Sequence, residues 1–562
     1  MAVNRKCAGF ISKITFNDSS SFDINENDIV VFVGPNNAGK SQALKDIYSL
    51  SDFPVNGLVI SGLDIAGYSK PEMESFLKAI STRSQNSFSY EGFGYSINDT
   101  NIGAARISKA LGCFRNIFVS FLGTEDRLSI CKPPNSINRN SPAKHPIHII
   151  ARDPECRKRI SSYFRKAFGR DIVPYITCGA TVPLCITDGL TTDYDDSCGD
   201  EFTHIEKISS QLEKCPQVHE QGDGIRSFTG ILLNLIVDYR KVFLIDEPES
   251  FLHPPQAKII GHTIGEMLSD DQQAFIATHS QEIITGLLEV CPERIKIIRI
   301  TRKDNINHFS VLKHDDFANL WTDPLLRHSN IMAGIFHKNV VLCESDSDCR
   351  LYSAVYSYMR EQEGRYSETL FIHCGGKQRM KKVVAALRSL DIPLWIIPDI
   401  DILNDDKVLR ELIESAGGEW SHFDANLRVL RGNLTTNKSF VKRADFKREV
   451  LGILDSNNDS NLSDPEIKLI KNLLKIETQW WMLKNGGKDA VPKGNASKAY
   501  EDIDTKLREL KIYIVPVGEL ECFIKTVGGH GPDWVNNVLE QFPDFSASAY
   551  DKLKNFIQSW IL

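Results

Sequence analysis

Apolar runs that end abruptly in polar or glycine-rich turns mark out this chain. Phe10-Ile11-Ser12-Lys13-Ile14-Thr15-Phe16 alternates apolar and polar positions, as a half-buried strand does. Val30-Val31-Phe32-Val33 is unbroken and mostly β-branched, which predicts a buried strand. It runs straight into Gly34-Pro35-Asn36-Asn37-Ala38-Gly39-Lys40-Ser41, and a helix is expected over 42–48. A strand is expected over 117–122, and Pro, Ser and Asn make 131–145 a loop. The polar stretch 193–201 reads as an exposed loop. Helical patterns cover 152–170 and 229–238. Two more buried strands follow: Val242-Phe243-Leu244-Ile245 ends in Asp246-Glu247, and Ala274-Phe275-Ile276-Ala277 ends in Thr278-His279. Residues 295–314 have the pattern of a hairpin closing that sheet.

A second unit begins near 335. Val340-Val341-Leu342-Cys343 ends in Glu344-Ser345-Asp346-Ser347-Asp348 and leads to a helix over 349–359. Leu370-Phe371-Ile372-His373-Cys374 ends in Gly375-Gly376-Lys377 and a basic helix. Pro393-Leu394-Trp395-Ile396-Ile397-Pro398 ends in Asp399-Ile400-Asp401. Strands alternating with helices predict a small parallel α/β domain. Residues 404–480 read as helical and charged. Ile512-Tyr513-Ile514-Val515 predicts a further strand, with Glu519 and Glu521 beyond it.

Composition adds limits. The chain has 562 residues, 42% hydrophobic and 25% charged, ordinary for a globular protein of several domains. A net charge of −7 confines any nucleic-acid surface to a local basic patch. Two segments qualify, 152–170 (Arg152, Arg157, Lys158, Arg159, Arg165, Lys166, Arg170) and the cluster Lys438, Lys442, Arg443, Lys447, Arg448. The first reads more simply as the solvated face of an amphipathic helix. Trp480, Trp481 and Trp534 are candidates for stacking on bases, against the plainer reading as core. Thirteen scattered cysteines without a Cys-x-x-Cys pair argue against a zinc ribbon or a disulfide framework, and for a reducing cytoplasm. No membrane span or secretory leader is expected.

The chemistry follows from strand ends. Gly-x-x-x-x-Gly-Lys-Ser after a buried strand predicts a loop whose backbone N–H groups face a polyphosphate. Gly34, Asn37 and Gly39 shape it, Lys40 reaches the β- and γ-phosphates, and Ser41 holds Mg²⁺. Asp246 is placed to hold the same ion, Glu247 to polarise the attacking water, and His279 to sense the γ-phosphate. In the second unit, acids gathered at one sheet edge repel one another unless a cation lies between them. Glu344, Asp348, Asp399 and Asp401 offer hard oxygen donors suited to Mg²⁺ or Mn²⁺ and to phosphoryl transfer.

Phosphate loop, glycine-rich segment 222–228, Asp-Glu strand and strand ending in His together resemble an ABC-type ATPase. The resemblance implies that the segment with Gly224 and Ser227 completes the nucleotide site of another copy, so that two heads sandwich two nucleotides. The segment departs from the Leu-Ser-Gly-Gly form of transporters. The acid pattern of the second unit resembles a TOPRIM domain, and the pairing resembles the OLD (overcoming lysogenisation defect) family, which includes the Gabija nuclease and retron-associated effectors. The expected architecture is α/β. An ABC-type phosphate-loop ATPase domain spans 1–325, with a helical or dimerisation insertion within about 55–215. A TOPRIM domain, a Rossmann-like parallel sheet, spans 335–562, with a helical insertion at about 404–500. Ser345 stands where the family commonly has glycine, and Asp346 is an additional acid. The resemblance also implies a late carboxylate, Glu521 with Glu519 as second choice, and a catalytic lysine, Lys493 ahead of Lys484 and Lys488. Metal would then bind at Glu344, Asp399, Asp401 and Glu521. The implied activity is an ATP-regulated, Mg²⁺- or Mn²⁺-dependent DNA endonuclease in antiphage defence, working as a homodimer or larger homo-oligomer. A reverse transcriptase with its DNA–RNA product, or a helicase, is a candidate partner. The alternative is a non-nucleolytic DNA-binding ATPase of the recombination or repair type, whose TOPRIM domain only binds. A topoisomerase or primase lacks its accessory module here.

Overall fold

The computed structural model describes residues 9–83, 89–92, 95–98, 101–102, 110–138, 141, 143–189, 201–237, 239–303, 306–311, 330–435, 443–455, 461–473 and 479–560. The chain divides into two compact units, Met1–His314 and Asp315–Leu562.

The first unit is built on a six-stranded sheet. Its order is Ile306–Val311, Ile295–Lys303, Ile29–Val33, Gln273–Ala277, Val242–Asp246, Val119–Leu122. All neighbours are parallel except the terminal hairpin, Ile295–Lys303 with Ile306–Val311. Every residue of Ile29–Val33 and Gln273–Ala277 is buried, which is why those runs lack alternation: helices and a second layer cover both faces. A separate antiparallel sheet, Ser21–Asp23, Ile11–Phe16 and Ile60–Ile65, accounts for the alternating N-terminal run. Phe16, Phe32, Leu44, Phe76 and Phe118 join one core between these layers.

Several expected elements shift. The strand expected over 117–122 begins at Val119, because Arg115–Phe118 closes a helical turn first. The helix expected over 229–238 is Asp223–Leu235. Its glycine-rich start looks like loop, yet Gly222 caps it and Asp223 in the first turn suits the positive end of the helix dipole. The basic helix is Pro154–Phe168, and three of its region's cations meet acids within the unit: Arg165 with Asp171 at 2.5 Å, Lys166 with Glu266 at 3.8 Å, Arg170 with Asp188 at 2.6 Å. That matches the plainer reading of this charge run. The loop expected over 193–201 lies, up to residue 200, outside the described residues.

The second unit holds a parallel sheet in the order Thr369–His373, Asn339–Cys343, Leu394–Ile397. Helices Asp346–Gln362 and Met380–Ser389 make the crossovers. The expected strand at 512–515 is shorter than its sequence suggests: only Ile512 bridges to Ile396, in parallel, with Tyr513 N–H on Ile396 O at 2.8 Å. Val515 N–H still reaches Pro398 O at 3.1 Å, but Pro398 has no N–H to return the bond, so the ladder is not completed. Helices Asp406–Ser415, Asp424–Thr435, Arg443–Leu454, Asp464–Leu473 and Gln479–Gly486 fill the expected helical segment, and Asn495–Glu509 carries it further. Trp534 is wholly buried, its indole N–H on Val527 O at 3.1 Å, so it packs in the core and cannot stack on a base. Lys438 and Lys442 lie outside the described residues.

Candidate nucleotide and metal sites

In the first unit the chemistry sits beyond the carboxyl ends of the parallel strands. Gly34 has φ 137°, and a Cβ there would lie 2.1 Å from Ile300 O, so only glycine lets the loop leave this strand. Asn37 takes a left-handed φ of 59° at the loop's tip, and Gly39 follows at 102°. Asn307, on the hairpin, donates to Ala38 O at 2.6 Å and pins the loop from outside. Lys40 is 4% exposed, and its ammonium donates to Gly34 O at 2.9 Å and Pro35 O at 2.8 Å. Burial lowers its pKa to about 8, against the pull of Glu247, Glu249 and Asp246. Ser41 Oγ donates to Asp246 Oδ1 at 2.7 Å. The two predicted Mg²⁺ ligands are therefore adjacent, on a part-buried hydrogen bond that a cation can replace. Burial, then Glu247, raises the Asp246 pKa, so the site favours a positive charge. A cramped glycine loop, a buried ammonium and the Ser41–Asp246 pair fit Mg-ATP.

Glu247 holds φ 45°, which strains a non-glycine residue. Its N–H donates to Ala277 O at 2.8 Å, and Ser250 Oγ donates to its Oε2 at 3.3 Å. His279 is half-buried beside it, its pKa lowered by burial and by Lys40. Two residues not singled out from the sequence complete the site. Glu249 Oε1 accepts from Thr278 Oγ1 at 2.8 Å and from the His279 N–H at 2.7 Å, while its buried Oε2 has no hydrogen-bond partner. Its signal was the second glutamate of Asp246-Glu247-Pro248-Glu249. Arg127 is 0% exposed and donates to the carbonyls of Asp246, Glu247 and Leu122 and to Ser227 Oγ. A lone arginine after a buried strand gives little signal.

The glycine-rich segment corrects one expectation. Gly224 lies in the first turn of its helix, at the half-exposed tip. Ser227 lies a turn further on, is 0% exposed and faces Arg127. It holds the interior rather than presenting an oxygen to a nucleotide, because the helix starts at Asp223 and turns residue 227 inward.

The second unit brings the predicted acids to one edge. Glu344 follows Asn339–Cys343, Asp399 and Asp401 follow Leu394–Ile397, and Glu519 and Glu521 follow the segment paired to it. Glu344 Oε1 accepts the Asp399 N–H at 3.1 Å. Burial, then Asp401, raises the Glu344 pKa to about 7. Burial, then Glu344, Asp348, Asp401 and Glu519, pushes Asp399 well above the carboxylate range. Asp348 sits in the first turn of Asp346–Gln362 and accepts from Ser345 N–H at 2.8 Å and Ser345 Oγ at 3.0 Å. The helix expected from 349 thus begins at Asp346, with Ser345 as its cap. Burial raises the Asp348 pKa, and Glu521 adds to the rise.

Basic groups flank the acids. Lys377 Nζ lies 3.0 Å from Asp401 Oδ2, and Lys484 Nζ lies 3.0 Å from Glu519 Oε2. His530 Nδ1 is 2.5 Å from Glu521 Oε1, which also accepts the Gly531 N–H at 2.7 Å. Burial works against the charge on Lys484, but Glu519, with Asp401 and Asp399, raises its pKa overall. Lys493 is exposed in the turn before Asn495–Glu509. Lys484, one of the two alternatives to Lys493, therefore faces the acids, whereas Lys493 stands in the exposed turn; chain spacing alone could not separate them. Among the described residues no three His, Cys, Asp or Glu side chains are gathered closely enough to ligate one ion, and Glu344, Asp401 and Glu521 each turn to a protein donor. The donor set still fits a hard divalent cation: it is all oxygen, it repels itself, and the buried Asp401 Oδ1 has no hydrogen-bond partner.

Comparison with known proteins matches both units. Residues 335–401 match the family model "Overcoming lysogenization defect protein-like, TOPRIM domain". Residues 216–285 match "AAA domain, putative AbiEii toxin, Type IV TA system". The Old nuclease of Escherichia phage P2 is 20% identical over 265 residues, 42% of this chain and 44% of that protein. The OLD nuclease of Thermus scotoductus is 25% identical over 201 residues, 33% of this chain and 36% of that protein. The chain thus spans less than half the length of either curated relative. Among solved structures, an SmcHead bound to the C-winged helix domain of ScpA aligns at TM-score 0.32 and 11% identity, over 54% of this chain and 98% of that one. The Pyrococcus furiosus Smc head domain with an extended coiled coil, bound to the C-terminal domain of ScpA, aligns at TM-score 0.32 and 11% identity, over 55% and 98%.

Proposed function

We propose that this chain, an OLD-type ATPase with a TOPRIM domain, is an ATP-regulated, divalent-metal-dependent DNA endonuclease. It acts in the cytoplasm as a homo-oligomer, in defence against phage. The observation that carries this reading is the half-buried, self-repelling set of acids at the carboxyl edge of the second sheet. Such a set is costly to fold without a cation and suited to phosphodiester chemistry with one.

In the first unit, Lys40 and the backbone of Gly34 to Gly39 hold the ATP phosphates. Ser41 and Asp246 would hold Mg²⁺. Glu247 orients the attacking water, and Glu249 fixes the backbone of His279 at the γ-phosphate edge. In the second, Glu344, Asp399, Asp401 and one of Glu519 and Glu521 would hold Mg²⁺ or Mn²⁺. When bound, the metal stabilises the attacking and leaving oxygens of the scissile phosphodiester. Asp348 holds the edge of the acid set through its contacts with Ser345. Lys484 donates to the charge that develops on the phosphoryl oxygens. ATP occupancy in the first unit regulates cutting in the second. A nucleic-acid–protein partner, such as a reverse transcriptase with its DNA–RNA product, would supply the trigger.

Cleavage of supercoiled plasmid with Mg²⁺ or Mn²⁺, with and without ATP, tests this. Wild type should nick or cut, Asp399→Ala should lose at least about 100-fold, and Lys40→Ala should lose the response to ATP. Phage protection in cells should vanish with Asp399→Ala. Intact protection by that variant would sink the nuclease reading and favour a domain used only for binding.

A further inference from the structure

We infer that Arg127 is a positioning residue that couples the tip of the glycine-rich helix to the catalytic turn at Asp246 and Glu247. The inference rests on the ATPase reading above and extends it to the regulation of that site. Arg127 lies on the short helix Thr124–Ser129, which follows the edge strand Val119–Leu122. Its guanidinium reaches two elements at once. On one side Nε donates to Ser227 Oγ at 3.1 Å, on the helix Asp223–Leu235. On the other, Nη1 donates to the Asp246 carbonyl and Nη2 to the Glu247 carbonyl at 3.1 Å.

The backbone reinforces the tie. A Cβ on Gly230 would lie 2.2 Å from the carbonyl oxygen of Arg127, so the two helices touch main chain to main chain. A Cβ on Gly224 would lie 2.7 Å from Phe251 O, so the helix tip also rests on the loop that follows Glu247. Gly222 and Asp223 at that tip are exposed, while Ser227, one turn below, is fully buried. One helical turn and one guanidinium therefore separate an exposed surface from the residue that orients water.

The receiving end is strained. Glu247 holds φ 45°, and its carbonyl accepts from both Arg127 Nη2 and Ser250 N–H. A strained conformation persists only when several contacts hold it. Moving the helix tip moves Ser227, and Arg127 transmits that movement to the backbone of Glu247. The exposed tip is thereby tied, through Ser227 and Arg127, to the position of Glu247.

The test compares wild type with Ser227→Ala, Arg127→Lys, Arg127→Met and the double variant Ser227→Ala/Arg127→Met. ATP affinity, steady-state hydrolysis and thermal unfolding are measured on the full chain. Ser227→Ala and Arg127→Lys should bind ATP within about threefold of wild type but hydrolyse it about 10- to 100-fold more slowly, a loss in kcat rather than KM. The double variant should be no slower than Arg127→Met alone, because both changes cut one connection. Stable variants that hydrolyse ATP at the wild-type rate, or losses that multiply in the double variant, overturn the coupling. If Arg127→Met does not fold, Ser227→Ala alone decides by the same criterion. A wild type that binds ATP but never hydrolyses it overturns the coupling alone; one that binds no ATP overturns the ATPase reading beneath it.

Discussion

Lys484 and Lys493 show how much one residue's surroundings matter. Both lie in the stretch where a catalytic lysine is expected, yet Lys484 pairs with Glu519 while Lys493 stands in an exposed turn. A cation that acts on a phosphoryl transition state must already point at it. Lys484→Ala should therefore lower plasmid cleavage about 100-fold, and Lys493→Ala should stay within about twofold of wild type. Metal-dependent cleavage that survives Lys484→Ala and fails in Lys493→Ala would reverse the assignment. The acids themselves were legible from sequence, since an apolar run ending in carboxylates is a local pattern. The lysine was not, because its distance from the acids is created by how Gln479–Gly486 returns to the sheet edge.

At the level of elements, the helix Asp346–Gln362 explains the departure at Ser345. A serine there caps the helix: its Oγ accepts the Asp348 N–H at 3.3 Å and donates to Asp348 Oδ2. Glycine at this position would also admit the turn, without the side-chain bond. Ser345→Gly should thus cost only about a few tenths of a kcal/mol and keep cleavage, whereas Ser345→Ala should cost about 1 kcal/mol. Chemical unfolding monitored by circular dichroism measures both. Equal losses for the two variants would remove the cap from the account. The helix Asp223–Leu235 carries the opposite lesson. Its glycine-rich start looked like a loop preceding a helix, and the structure makes it the helix's first turn. That one shift turned Ser227 from a surface residue into an interior one. Helix starts are set by capping and by what the first turn packs against, and here the packing partners, Arg127 and Phe251, are remote in sequence.

At the scale of the molecule, the reading predicts ATP-dependent association. An incomplete nucleotide site that needs a second copy binds that copy only with nucleotide in place. Glu247→Gln, which keeps the binding residues but slows hydrolysis, should shift the chain with Mg-ATP to at least twice the mass of its nucleotide-free form. Lys40→Ala should show no such shift. Light scattering on both, with and without ATP, decides; a mass that ignores nucleotide in both would sink the two-head arrangement. Among the described residues no helix is long and apolar enough to cross a membrane. Both sites share one physical logic, with charged groups gathered beyond the carboxyl ends of parallel strands. Such strands are buried on both faces, so only their ends can carry polar chemistry.

The division between sequence and tertiary structure follows from range. Runs of apolar residues, their abrupt polar ends and the Gly-x-x-x-x-Gly-Lys-Ser spacing are local, so the order of strands, the phosphate loop and the acids at the second sheet edge could be read directly. The hydrophobic effect acts on each run wherever it sits in the chain. Which polar groups meet depends on contacts between distant residues. The Arg127–Ser227–Glu247 connection, the partnership of Glu249 with His279, the pairing of Lys484 with Glu519 and the burial of Trp534 were decided only when the chain closed on itself. Buried polar groups must find partners, and no local pattern records where those partners are.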